Sequence, residues 1–171
     1  RVDLLPDRVR FVAERGQPVP GSWRDGEVCF LAADMPALGV RRFTLAPGEA
    51  PDEGGGARVE QSAGGLIVET ARLRAAIAAD GSLTSLIDRR AGREVLAGPA
   101  NRLDMYLDGP QGEDAWNLYR EYRGRRVDVP WRDEVRLVEN SALRTVVRVT
   151  RQSPGTVVEQ DIVLSDFLDR I

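Results

Sequence analysis

The clearest β-structure signal in the chain is the segment Asp80–Trp116, which reads DGSLTSLIDRRAGREVLAGPANRLDMYLDGPQGEDAW. Side chains from Leu83 to Asp88 alternate at the period of two that a strand requires. Asp80-Gly81 can reach the positive φ of a tight turn ahead of this strand. Ala91-Gly92 offers a second turn before the extended run at 94–96. The segment therefore predicts β-structure built from hairpins.

The rest of the chain continues this pattern of β-rich runs separated by turn dipeptides. The predicted strands are Val28–Ala32, Val40–Leu45, Leu66–Thr70, Leu73–Ala78, Leu103–Leu107, Val135–Val138, Leu143–Thr150 and Val157–Leu164. Alanine content makes a helix over Ala71–Ala79 the main rival, but the hairpin signal after it favours a strand. Between Leu143 and Val149 the odd positions are mostly apolar, while Arg144 and Arg148 fall on even positions. This alternation is expected for one layer of a sandwich, and the predicted fold class is an all-β, antiparallel β-sandwich.

Composition divides the chain into two units. The stretch 46–57 carries two prolines, several acidic residues and three consecutive glycines, and it buries too little apolar surface to offset its ordering entropy. We predict the tail of a small β-domain at 1–50, a linker at 51–58 and part of a larger β-sandwich domain at 59–171. The apolar run from Ile162 stops as another strand begins. We therefore expect further sandwich strands, because a truncated sheet leaves an edge that invites partners.

Charge and hydropathy argue against several classes of partner. A formal net charge of −3 and a pI near 5.2 disfavour nucleic acid and anionic membranes. The basic run Arg120–Arg126 is interpreted as a solvated turn. No apolar run approaches the roughly 18–20 residues that span a bilayer, and no signal-peptide pattern is visible. We therefore expect a cytoplasmic protein with no nucleic-acid or membrane partner.

Two residue types are missing from the chain. It contains no histidine, and all 24 of its Lys+Arg residues are arginine, which is typical of a GC-rich bacterial genome. Without histidine the chain lacks the commonest general base and the commonest metal ligand. We therefore expect no metal site in this chain. The single Cys29 cannot form an intramolecular disulfide and is expected to be a small buried hydrophobe.

Several motifs together resemble glycoside hydrolase family 38, whose members are zinc-dependent retaining α-mannosidases. They are Gly81-Ser-Leu-Thr-Ser-Leu-Ile-Asp-Arg89, Gly92-Arg-Glu-Val-Leu96, Asn101, Asp108-x-Pro110 and Asp114-Ala-Trp116. Pro36-Ala-Leu-Gly39 with Phe43 is similar to a passage at the end of the family's small β-domain. The resemblance covers 28–45 and 80–171. It implies the first part of a galactose-mutarotase-like supersandwich.

The resemblance also implies that this chain is a fragment of a bacterial α-mannosidase without its catalytic machinery. In the family, the nucleophile and the zinc ligands lie on other domains. The expected partners are therefore the missing catalytic domain, the remaining sandwich strands and an α-mannoside glycan bound by the parent enzyme. The chain itself would supply scaffold and one loop of the cleft, and it would be inactive alone.

The candidate substrate-binding residues lie on or beside the loop at 108–117. By resemblance they are Tyr106, Asp108, Asp114, Trp116 and Asn117. Carboxylates accept hydrogen bonds from sugar hydroxyls, and an aromatic face packs on the apolar side of a pyranose. Two positions depart from the family pattern, since Glu113 replaces a common aromatic residue and Asn117 replaces a common aspartate.

These residues also have a purely structural interpretation. Asp-Gly-Pro and Gln-Gly are strong turn formers, and Trp116 would fill a gap in the core. Tyr106 would then be a strand tyrosine half-buried against the sheet. Tyr119 and Tyr122 could stack on a sugar or cap an edge of the core.

Two other functions compete with the family 38 interpretation. One is a stand-alone carbohydrate-binding β-sandwich with no catalytic partner. The other is an aldose-epimerase-like enzyme on a related sandwich. The second is disfavoured because such sites generally use histidine, which this chain lacks.

Overall fold

The computed structural model describes residues 9–24, 27–48, 56–109, 116 and 120–167. In this part of the chain the helices are two short 3-10 helices, Glu14–Gly16 and Arg120–Gly124. The strands are β1 Val9–Ala13, β2 Pro18–Val19, β3 Gly21–Arg24, β4 Glu27–Phe30, β5 Phe43–Pro47, β6 Arg58–Ser62, β7 Gly65–Glu69, β8 Leu73–Ala78, β9 Leu83–Asp88, β10 Arg93–Glu94, β11 Met105–Tyr106, β12 Arg126–Val127, β13 Arg132–Asn140, β14 Thr145–Ser153 and β15 Thr156–Leu164. The strand pairs are antiparallel. The prediction of an all-β, antiparallel fold is confirmed. No described helix has the length and apolarity to cross a membrane.

The first five strands form a small sheet in the order β2-β1-β5 and a separate β3-β4 hairpin. A small aromatic cluster supports them. Phe11 is buried and stacks on Phe30 with ring centroids 4.8 Å apart, and Phe30 contacts Phe43 at 5.0 Å. Cys29 is only half-buried, so the expectation of a buried cysteine is wrong. Val40 is 91% exposed, and the strand predicted from residue 40 begins instead at Phe43.

The larger unit contains a five-stranded sheet, β10-β9-β8-β7-β6, and a three-stranded sheet, β13-β14-β15. Both β8 and β9 have the predicted bounds, and the rival helix over Ala71–Ala79 is wrong because Leu73–Ala78 pairs with strands on both sides. The β8–β9 ladder slips by one residue between Ala76 and Ile77. This bulge allows both Leu83 and Leu86 to contact the core although they differ in parity.

The core lies between these two sheets. Its buried side chains come from β7, β8 and β9 on one side and from β14 and β15 on the other: Leu66, Val68, Ala75, Ile77, Leu83, Val147, Val149, Ile162 and Leu164. The predicted sandwich is therefore confirmed. Arg148 lies on the opposite face of β14, half-buried, where it makes a two-pronged ion pair to Asp161 at 2.7 and 2.9 Å, as the alternation in this strand predicted.

The chain is fixed to the sandwich just before β6. The backbone N–H of Ala57 donates to Thr145 Oγ1 at 3.4 Å, and the Ala57 carbonyl accepts from Asn140 Nδ2 at 3.0 Å. Strand β6 then begins at Arg58, one residue before the predicted start of the unit at 59. Residues 51–55 of the predicted linker lie outside the described residues, and the division into two domains stays a prediction.

Candidate functional site

An aromatic pair stands on a two-stranded ribbon that leaves the sandwich after residue 101. We call this ribbon, residues 102–109 and 120–127, the arm. Its strands β11 and β12 pair Met105 with Val127 and Tyr106 with Arg126. The Tyr106 ring meets the Tyr122 ring edge to face, with centroids 5.3 Å apart and planes at 89°. Tyr122 therefore packs on Tyr106, not on an edge of either hydrophobic core.

Charged groups lie beside this aromatic pair. The Asp104 carboxylate forms an ion pair with Arg126 Nη2 at 2.9 Å and accepts a hydrogen bond from Arg102 Nη2 at 3.4 Å. All three side chains keep between about a third and a half of their surface exposed. Solvent therefore reaches aromatic edges, a carboxylate and guanidinium groups along one short ribbon. These are the groups with which proteins bind sugars, since the polar ones exchange hydrogen bonds with hydroxyls and the rings pack on C–H faces.

The predicted site residues fall in three places. Tyr106 lies in β11 and is 37% exposed. Asp108 follows two residues later and is exposed. Trp116 is 86% exposed, so the alternative in which it fills a gap in the core is wrong. Asp114 and Asn117 lie outside the described residues, as do Glu113 and Tyr119.

A buried arginine lies where the arm joins the sandwich, and the sequence interpretation missed it. Arg151 in β14 is 4% exposed. Its Nη2 donates to the carbonyls of Asp80 at 3.0 Å and Asn101 at 2.8 Å, and its Nη1 donates to Gln160 Oε1 at 2.5 Å. A buried guanidinium is tolerated because these acceptors and the nearby carboxylate of Asp133, 3.7 Å away, replace water.

Asn101 completes this buried polar network. Its backbone has φ +56°, a left-handed conformation that asparagine tolerates better than most residues. Its side-chain amide donates to the Gly81 carbonyl at 2.9 Å, and its Oδ1 accepts from Gln160 Nε2 at 3.2 Å. The motif residues Asp80, Gly81 and Asn101 thus converge on Arg151, a contact that nothing in their spacing predicted.

The two carboxyl groups beside Arg151 have pKa values shifted in opposite directions. Hydrogen bonds from Ser82, whose hydroxyl lies 2.6 Å from Asp80 Oδ1, hold the pKa of Asp80 below its ordinary value. Burial raises the pKa of Asp133, even though Arg151 opposes the shift. The Oδ1 atom of Asp133 is buried without a hydrogen-bond partner. Asp133 therefore faces Arg151 as an ion pair without a direct hydrogen bond.

The described residues offer no donor set that fits a zinc site. The sequence has no histidine, and the described residues hold no group of three or more His, Cys, Asp or Glu side chains that could bind a metal ion. No step of chemistry is therefore assigned to a metal held by this chain.

Comparison with known proteins identifies the class to which this sandwich belongs, the C-terminal domains of glycoside hydrolases. The model of the glycosyl hydrolases family 38 C-terminal domain matches residues 68–171, more than half of the chain. The chain therefore belongs to glycoside hydrolase family 38. The matched part is the non-catalytic C-terminal domain of that family. A search of curated proteins found no match.

Proposed function

We propose that this chain is the accessory β-domain of a zinc-dependent retaining α-mannosidase and that its arm forms one wall of the mannoside-binding cleft. The observation that carries the proposal is the aromatic pair on the arm, in which Tyr106 is exposed and Tyr122 is half-buried. Tyr106 and Tyr122 pack on each other, outside both hydrophobic cores, and they stand beside the Asp104 carboxylate. Trp116, 86% exposed, adds a second aromatic surface on the segment that joins the two strands of the arm.

The residues of this chain indicate which roles it would fill in the enzyme and which roles other domains would fill. With no histidine in the sequence and no cluster of metal ligands among the described residues, the zinc would be held by another part of the enzyme, where the resemblance to family 38 also implies the nucleophile. The zinc would hold sugar hydroxyls there, and the residues of this chain would orient the sugar and exclude water at one side of the cleft. A rigid sandwich suits this role, because a binding surface on a fixed scaffold costs less entropy to order.

The experiment that tests the proposal is substitution of Tyr106 in the full-length enzyme. Removing an aromatic contact costs about 0.5–1.5 kcal/mol, so Tyr106→Ala should lower kcat/KM on an aryl α-mannoside about two- to tenfold. Tyr106→Phe keeps the ring and should retain most of the activity. Val157→Ala serves as the matched control, because Val157 is 60% exposed on the β15 strand, outside the arm. Equal activities in Tyr106→Ala and Val157→Ala would overturn the proposal.

A second candidate function is a carbohydrate-binding module that works without a catalytic partner. The observation that favours it is that Trp116 and Tyr106 are exposed in this chain by itself. Titration of the purified chain with methyl α-mannoside, followed by Trp fluorescence, separates the two. Saturable binding that Trp116→Ala removes would support the module, whereas binding seen only in the full-length enzyme supports the cleft wall.

A further inference from the structure

Both ends of the arm connect to one buried side chain. The strand entering the arm leaves the sandwich at Asn101, whose carbonyl accepts a hydrogen bond from Arg151 Nη2 at 2.8 Å. The strand leaving the arm re-enters the sandwich at β13, where the Asp133 carboxylate lies 3.7 Å from Arg151 Nε. We infer that Arg151 is a positioning residue that clamps the base of the arm and so sets where Tyr106 and Tyr122 stand relative to the sandwich.

The clamp has little freedom of its own. Arg151 is 4% exposed, and its planar guanidinium is held from three directions by the Asp80 carbonyl, the Asn101 carbonyl and Gln160 Oε1. A rigid fork of donors fixes the relative positions of its acceptors more strictly than a single ammonium group does. At Arg151 the entry of the arm therefore meets strands β8–β9, β13 and β14–β15.

Asn101 sets the direction in which the chain leaves this anchor point. The bridge between Leu83 and Ala100, with both hydrogen bonds at 2.9 Å, holds the residue just before it against β9. Asn101 then turns the backbone through φ +56°, held by its side-chain bonds to Gly81 and Gln160. Met105 follows only four residues later, at most about 14 Å along the chain, so a change at Asn101 is transmitted to Tyr106.

The polar contacts continue into the arm. Arg102, next to Asn101, shares the Asp104 carboxylate with Arg126 of β12. Arg126 is in turn the backbone partner of Tyr106. An unbroken series of contacts therefore runs from Arg151 through Asn101 and Asp104 to the aromatic pair. Arg151 itself is buried, which is what distinguishes positioning from direct contact.

The test is a ¹⁹F NMR measurement on the whole chain with its three tyrosines replaced by 3-fluorotyrosine and assigned by Tyr→Phe substitution. Arg151→Lys keeps the charge but loses the fork of donors, and Asn101→Gly keeps access to positive φ but loses the amide bonds. The matched control is Arg148→Lys, the same change three residues away on the outer face of β14. Circular dichroism and urea unfolding report whether each variant stays folded.

We expect Arg151→Lys and Asn101→Gly to shift or broaden the Tyr106 and Tyr122 signals, and Arg148→Lys to leave them unchanged. Asn101→Gly decides the matter if Arg151→Lys does not fold, because glycine accepts the left-handed backbone without strain. Signals that match the wild-type in a folded Asn101→Gly variant would overturn the inference.

A second measurement separates this inference from the proposed function. The inference rests on that function only in taking a sugar as the ligand of the arm. In the full-length enzyme, Asn101→Gly should raise the KM for an aryl α-mannoside by about two- to tenfold, the scale of one lost hydrogen bond between neutral groups. If the tyrosine signals move but KM does not, the clamp is supported and it is the proposed sugar contact that fails.

Discussion

Gly81→Ala should be among the most destabilising single-methyl additions in this chain. Gly81 has φ +75°, and a Cβ built there would lie 2.2 Å from Val149 Cγ1 and 3.0 Å from Arg151 Nη2. The left-handed backbone costs alanine about 1–2 kcal/mol, and forcing a methyl group into a packed core adds about 1–3 kcal/mol. The sum is a loss of about 2–5 kcal/mol in the free energy of unfolding.

Urea unfolding followed by Trp fluorescence measures this loss. With a slope of about 2 kcal/mol per molar urea, the midpoint should fall by about 1–2.5 M. Gly92→Ala is the matched control, because Gly92 has φ +62° but a Cβ there meets nothing within 4 Å. It should show only the backbone cost, about 1–2 kcal/mol. Equal midpoints for the two variants would refute the view that the Asp80-Gly81 turn is packed tightly against β14.

Two further predictions concern acid stability and the exposed tryptophan. The Glu94 carboxylate accepts hydrogen bonds from the Ser85 hydroxyl and from the Leu86 backbone, which lower its pKa to about 2. Because the pKa is lower in the folded state, this carboxylate stabilises the fold above its unfolded pKa of about 4.5. That contribution is lost as the pH falls from about 4.5 to 2. Glu94→Gln should lose stability at pH 6. It should also flatten the fall in melting temperature between pH 5 and 3. A dependence of melting temperature on pH that matches the wild-type would count against the hydrogen bonds to Glu94. Trp116→Ala in this chain should change the unfolding free energy by less than about 0.5 kcal/mol, because the side chain is 86% exposed. Ile77→Ala, at a site that is 2% exposed, should cost about 2–5 kcal/mol, and a larger loss at Trp116 than at Ile77 would contradict the burial assigned to both.

Local signals were strong enough to predict the central hairpin. The Asp80-Gly81 turn and the bounds of β8 and β9 follow from residue-level preferences, because turn chemistry and the period of two act over a few residues. The bulge between Ala76 and Ile77 was not predicted. A bulge depends on which residue of the partner strand each residue faces, and one strand alone does not contain that information.

The buried arginine shows why the polar core was harder to predict. Arg151 has the same parity as Val147 and Val149, whose side chains are fully buried, so the alternation in β14 already placed it on the core face. An arginine at such a position is normally taken to mark the solvated end of a strand. Its acceptors at Asp80, Asn101 and Gln160 lie up to 71 residues away, and only the folded chain brings them together.

The sequence identified single residues of the candidate site but not their arrangement. Tyr106 and Trp116 are exposed, as a sugar-binding surface requires. The edge-to-face contact between Tyr106 and Tyr122 depends on the pairing of β11 with β12. The sequence showed both tyrosines but not their proximity, because they lie sixteen positions apart along the chain. Substrate contact by Tyr106, Asp108, Asp114, Trp116 and Asn117 stays a prediction.

The most direct test of the account is an assay of aryl α-mannoside hydrolysis by the full-length enzyme and by this chain alone. Chelation should remove the turnover of the full-length enzyme, and zinc should restore it. The purified chain should show no turnover, with or without added zinc. Turnover by the purified chain that is lost on substitution of one of its own carboxylates, such as Asp104→Asn, would contradict the account.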